Sequence, residues 1–142
     1  MPTLNLKIAP LHNPALYPAL ARALTDITVD TLGKRREVTA VVIEDLPDAA
    51  WFIGGAALRR PTAWLEISIS AGSNTPAQKA AFIAAAQAEL QRQLAPGGRL
   101  EEASYVIVRE LPTGDWGYDG QTQAARAAAL RQTPPQPAES LG

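Results

Sequence analysis

Leu4, Leu6 and Ile8 alternate with Asn5 and Lys7 between Thr3 and Ala9, the period-two pattern of a half-buried strand. Pro10-Leu11-His12 interrupts it. Asn13 then suits a helix N-cap and Pro14 the first helical position. Leu16, Leu20, Ala23, Leu24 and Ile27 fall on one helical face, and Gly33 suits the left-handed residue that closes a helix. Residues 38–44 are β-branched and nearly continuous, which predicts a buried central strand. Leu46-Pro47-Asp48 turns the chain, and Trp51-Phe52-Ile53-Gly54-Gly55 reads as a short aromatic hairpin closed by glycines.

The same pattern then begins again. Pro61-Thr62 echoes Pro2-Thr3, and residues 63–70 alternate Leu65, Ile67 and Ile69 with Trp64, Glu66 and Ser68. Thr75-Pro76-Ala77-Gln78 combines an N-cap, a first-turn proline and a capping-box glutamine. Phe82, Ile83, Ala86, Leu90 and Leu94 form the apolar face of that helix, and Pro96-Gly97-Gly98 stops it. Residues 104–110 repeat the β-branched strand, Leu111-Pro112 matches Leu46-Pro47, and Asp115-Trp116-Gly117-Tyr118-Asp119-Gly120 matches the first aromatic segment. The offset between halves grows from 59 at the prolines to 65 at the tryptophans, so insertions fall in loops. Two copies of one β-α-β unit make up the chain.

The expected organisation is one domain over residues 1–125, built of repeats 2–58 and 61–120, followed by a partly disordered tail over 126–142. Residues 121–132 are rich in alanine and arginine and suit one or two helical turns; Thr133-Pro134-Pro135-Gln136-Pro137 and the polar end beyond suit disorder. The length of 142 residues fits one core, and a net charge of −1 leaves no electrostatic footprint for nucleic acid. Cysteine is absent and His12 is the one histidine, which excludes disulfides, thiol catalysis and a histidine-rich metal site. No apolar run is long enough to span a bilayer and no signal pattern opens the chain, so a soluble, cytoplasmic protein without nucleic-acid or membrane partners is expected.

Pro2 is where chemistry enters. A small second residue permits removal of Met1, which would make Pro2 a terminal secondary amine. Such amines titrate at about 7.7–8.0, and an apolar pocket lowers the value further, into the range of a general base at neutral pH. Pro2, the duplicated β-α-β unit and the Leu-Pro, Trp and Gly endings together resemble the tautomerase superfamily. The second half is similar to 4-oxalocrotonate tautomerase through Pro61, Gln78-Lys79, Val106-Ile107-Val108 and Asp115-Trp116-Gly117-Tyr118-Asp119-Gly120. The first half resembles the longer members, such as cis-3-chloroacrylic acid dehalogenase, through Ala23-Leu24-Thr25-Asp26 and Trp51-Phe52-Ile53-Gly54-Gly55.

That resemblance implies an α/β fold of the α+β kind: a pseudo-twofold, four-stranded sheet with two helices on one face, assembled as a barrel-like homotrimer. It also implies cofactor-free catalysis, with Pro2 moving a proton on a small enol or 2-oxo acid. Alternatives are dehalogenase, hydratase or decarboxylase chemistry of the same superfamily, or a catalytically silent trimer that binds a small carboxylate. Pro61 is internal, its nitrogen an amide, so only one of the two equivalent ends can use an amine.

The arginines of the short members fall here at His12 and Asn74, and at Ala40 and Tyr105. Those of the dehalogenase fall near Ser70 and Ser73, and its helical histidine near Thr28. Replacement groups are His12 as donor or oxyanion binder or else a solvent-facing turn residue, Tyr105 as hydrogen-bond donor or else packing, Arg109 as anion binder or else an edge or interface ion pair, and Asp119 or Asp115 as water activator or else turn former. Asn74 and Ser73 are candidate substrate contacts. Trp51 and Trp116 are aromatic walls of the site or packing anchors.

Overall fold

The computed structural model describes residues 2–10 and 13–132. Strand β1 (Thr3–Ala9) leads through helix α1 (Leu16–Leu32) and a 3-10 turn (Arg36–Val38) to β2 (Ala40–Asp45). A second 3-10 turn (Asp48–Ala50) precedes a small hairpin, β3 (Phe52–Ile53) and β4 (Ala56–Ala57). The second repeat follows as β5 (Thr62–Ser70), α2 (Pro76–Leu94), β6 (Tyr105–Leu111) and the hairpin β7 (Gly117–Tyr118) and β8 (Gln121–Thr122). Helix α3 (Gln123–Gln132) ends the described chain.

The four long strands form one sheet in the order β2-β1-β5-β6. Each repeat contributes a parallel pair, β1 with β2 and β5 with β6, and the repeats join by antiparallel pairing of β1 and β5, with Asn5 opposite Glu66. A pseudo-twofold axis therefore passes between β1 and β5. Leu4, Leu6 and Ile8 of β1 and Leu65, Ile67 and Ile69 of β5 all point to one face, where they are buried against Leu20 and Leu24 of α1 and Phe82, Ala86 and Leu90 of α2. This is the pair of β-α-β units that the sequence pattern predicts, joined in the four-stranded sheet that the resemblance implies.

Three elements differ from expectation. The β-branched segments are edge strands rather than central ones. Val41, Ile43, Val106 and Val108 pack toward the helices, while Val42 is 58% exposed on the opposite face. A continuous apolar run signals cover on both faces, and within one chain only one face has it. Helix α1 starts at Leu16, not Pro14. Pro18 has no N–H to return to the Pro14 carbonyl; starting at Leu16 places that missing donor in the first turn, where donors lack partners anyway. Asn13 instead closes a turn, its Oδ1 accepting from Ala15 N at 3.1 Å. Helix α3 has ten residues and runs past the boundary drawn at 125 to Gln132. Residues 133–142 lie outside the described residues.

Helix α2 begins as expected. Thr75 accepts from Gln78 N at 3.1 Å, and Gln78 Oε1 accepts from Thr75 N at 2.9 Å, a closed capping box. Thr75→Ala is expected to cost about 1 kcal/mol of unfolding free energy in urea titration. Gly33 closes α1 at φ 67°, and its N–H reaches Val29 O at 3.0 Å. No helix among the described residues is long and apolar enough to cross a membrane.

Candidate active site

Pro2 is buried immediately before β1, and its carbonyl accepts from Ala40 N at 3.3 Å. Parallel pairing thus fixes the starts of β1 and β2 side by side. The second hairpin follows β6, at the far edge of the sheet, yet returns across to these strand starts. There Trp116, Gly117, Tyr118 and Gln123 face Thr3, Glu37, Val38, Thr39 and Ala40 across a cavity of about 260 Å³. Gly117 is required for the hairpin itself to close, since a Cβ there would run into the Gln121 backbone carbonyl. Backbone bonds from Gln123 N to Trp116 O and from Ala124 N to Thr113 O, both 2.9 Å, bind α3 to the hairpin. Arg126 adds a side-chain bond, Nη2 to Tyr118 O at 3.0 Å, and its guanidinium lies 3.8 Å over the Tyr118 ring.

Pro2 and Trp116 therefore meet at one end of the sheet. Trp51 belongs to the other end, the Pro61 end. It lines a cavity of about 390 Å³ with Lys7, Leu46, Ala50, Phe52 and Trp64. Tyr105 lies at that end too. It pairs across strands with Trp64, their ring centroids 5.6 Å apart, so it packs an aromatic pair away from Pro2. The pseudo-twofold axis separates the two tryptophans because each hairpin serves one end of the sheet.

The remaining candidates are engaged elsewhere. Ser73 Oγ donates to Ser70 O at 2.6 Å, and Lys34 Nζ donates to Ser73 Oγ at 3.0 Å; burial lowers the Lys34 ammonium from its ordinary value. Asn74 Nδ2 donates to Leu32 O and Gln78 Oε1, both at 3.0 Å, joining the end of α1 to the start of α2. Neither residue lines the cavity beside Pro2. Asp119 occupies the left-handed turn of β7 and β8 at φ 52°, and Asp115 is an exposed turn residue whose N–H reaches Pro112 O at 2.9 Å. Both follow the turn reading. His12 lies outside the described residues.

Arg109 is on edge strand β6 and pairs with Glu66 at 3.3 Å on the sheet face away from the helices. Glu66 also accepts from Trp64 Nε1 at 3.0 Å. This indole bond, together with Arg109 and Lys7, holds the Glu66 carboxyl below the usual carboxylate range. A depressed carboxylate contributes stability that is present above its unfolded value, near 4.5, and is lost as pH falls through the folded value. Glu66→Gln is accordingly expected to flatten the loss of stability below about pH 4.5, as read from urea midpoints across an acid series.

Glu37, Gln123 and Arg126 carry no signal in the sequence pattern of the duplicated unit, and Thr39 and Tyr118 lie in repeated segments without being singled out as site residues. Glu37 follows from its place in the 3-10 turn before β2, and Gln123 and Arg126 share a helix face by their spacing of three. A start for that helix is written at Thr122, whose Oγ1 accepts from Ala125 N at 3.0 Å.

The geometry defines a class first: a β-α-β duplication with a buried proline leading its first strand and an aromatic hairpin folded over it. The tautomerase enzyme family model matches residues 18–60. No curated protein matches the chain. A native fused 4-OT crystal structure is 29% identical, with a TM-score of 0.75, covering 88% of this chain and 98% of its own. The F6 fused 4-OT, a wild-type asymmetric trimer, is 28% identical with a TM-score of 0.76, covering 87% of this chain and 98% of its own. Macrophage migration inhibitory factor of Toxoplasma gondii shares the fold at 21% identity and a TM-score of 0.69, covering 84% of this chain and 98% of its own. Together these matches support the resemblance to the tautomerase superfamily in its fused, two-repeat form.

Proposed function

We propose that the chain is a cofactor-independent tautomerase of small enol or 2-oxo acids, with Pro2 as general base after removal of Met1. The observation that carries this reading is the burial of Pro2 at the start of β1, beside a cavity walled by Trp116, Tyr118 and Val38. A secondary amine held in such surroundings is desolvated, which favours its neutral, proton-accepting form at neutral pH. The twin end of the sheet has the aromatic wall of Trp51 and Trp64 but an internal proline, Pro61, whose amide nitrogen accepts no proton.

Glu37 in the wall favours one second reading. A carboxylate beside a protonated Pro2 suits water addition to an unsaturated acid. The amine's pKa separates the two: below about 7 for a base and well above it for an acid. We further propose self-association as a trimer. It is supported by the fused 4-OT trimers and by the open edges of β2 and β6.

The test is an intact mass of the purified protein alongside a spectrophotometric assay with phenylpyruvate enol on the same sample. Activity in protein lacking the Met1 mass is the expected result. Equal activity in protein that retains Met1 would sink the proline mechanism, because Pro2 is then an amide.

A further inference from the structure

We propose that the Trp116 indole N–H and the Gln123 side-chain amide form a donor pair that receives an oxygen of a small 2-oxo acid in the cavity beside Pro2. The inference rests on reading that cavity as the substrate site. Both residues line it, and Gln123 is only 8% exposed. Trp116 Nε1 and Gln123 Nε2 are both buried, and neither has a hydrogen-bond partner among the described residues. Buried donors without partners are rare in folded proteins, and here two of them line one cavity. Their relative placement is fixed by the backbone bond from Gln123 N to Trp116 O at 2.9 Å.

The chemistry of the lining narrows the ligand. Two donors call for an acceptor, and Val38, Ala40 and the Tyr118 ring call for a small apolar body attached to it. Arg126, one helical turn beyond Gln123, supplies positive charge behind the wall, held by the Tyr118 carbonyl and ring. Glu37 on the opposite wall opposes an anion. Its carboxylate is 71% exposed and lies 3.6 Å from Arg35, so solvent and that partner screen it. A carbonyl or carboxylate oxygen of a 2-oxo acid meets these requirements, and negative charge that builds on it during enolisation would be stabilised by donors already in place.

The probe is benzoylformate, a 2-oxo acid without an enolisable hydrogen, titrated into the protein labelled with nitrogen-15 in its tryptophans. The Trp116 indole signal, identified by its absence in Trp116→Phe, is expected to shift with saturation. Trp116→Phe and Gln123→Leu are each expected to weaken binding about tenfold. The Trp51 and Trp64 signals report whether each variant is folded. An indole signal that stays in place at saturating benzoylformate, or native affinity in both folded variants, would overturn the proposal. Binding through these donors by a native protein without tautomerase activity would uphold it and remove the proline mechanism instead.

Discussion

Pro2→Ala is expected to lower kcat/KM for phenylpyruvate enol by about 100-fold or more. Alanine at this position still ends in an amine once Met1 is removed, but it lacks the ring that fixes φ and aims the nitrogen. The remaining amine is free to rotate and solvate, so the loss comes from orientation as well as basicity. A protein with an uncleaved residue ahead of Pro2 should lose the whole contribution of the base, about 10²- to 10⁴-fold, because an amide nitrogen takes up no proton in this range. Pro61→Ala serves as the internal control. Pro61 stands where Pro2 stands in the other repeat and its carbonyl accepts from Glu101 N at 2.8 Å, a role that alanine preserves. Equal turnover by the native protein and Pro2→Ala would end the argument for a proline base.

Phe82→Ala is expected to remove about 3–5 kcal/mol of stability, the largest effect of any single core truncation here. Phe82 is completely buried on α2 and is the largest side chain among those with almost no exposure. It packs in one cluster with Leu65, Ile67 and Leu24, so one ring contributes to the contact between both repeats. Removing it leaves a cavity in the middle of the helix-sheet layer, which a close-packed interior closes only in part. Against a typical total of about 5–15 kcal/mol, such a loss should lower the melting temperature by on the order of 10–20 °C, read by circular dichroism at matched protein concentration. A shift under about 3 °C would show that the core is not organised around this ring.

The fold was legible because two independent signals agreed. Alternation at Leu4, Leu6 and Ile8 returned at Leu65, Ile67 and Ile69, and the capping box at Thr75 marked the second helix to the residue. Pairing order was not legible. Whether a β-branched run is central or at an edge depends on which strands the duplication joins, a long-range fact absent from any local window. Of the site, Pro2 and the two tryptophans could be named because a proline and an aromatic segment recur at matched positions, but which tryptophan stands at the Pro2 end depends on the pairing of β1 with β5. Gln123 and Arg126 could not, because α3 has no counterpart in the first repeat and its alanine-rich composition resembles a solvated tail. Ser73 and Asn74, at positions matched to the family's arginines, hold local structure instead: Ser73 closes the turn after β5 and Asn74 ties the end of α1 to the start of α2.

Layering both helices on one face leaves the other face of the sheet covered only in part, by Trp51 and Phe52 beside Lys7 and Trp64, with β2 and β6 as its outer strands. Val42 and Tyr105 stand more than half exposed there. Each copy thus carries two rows of backbone donors and acceptors that water must satisfy unless another chain does. A second copy that closed these edges would make the protein's state answer to dilution as well as to heat.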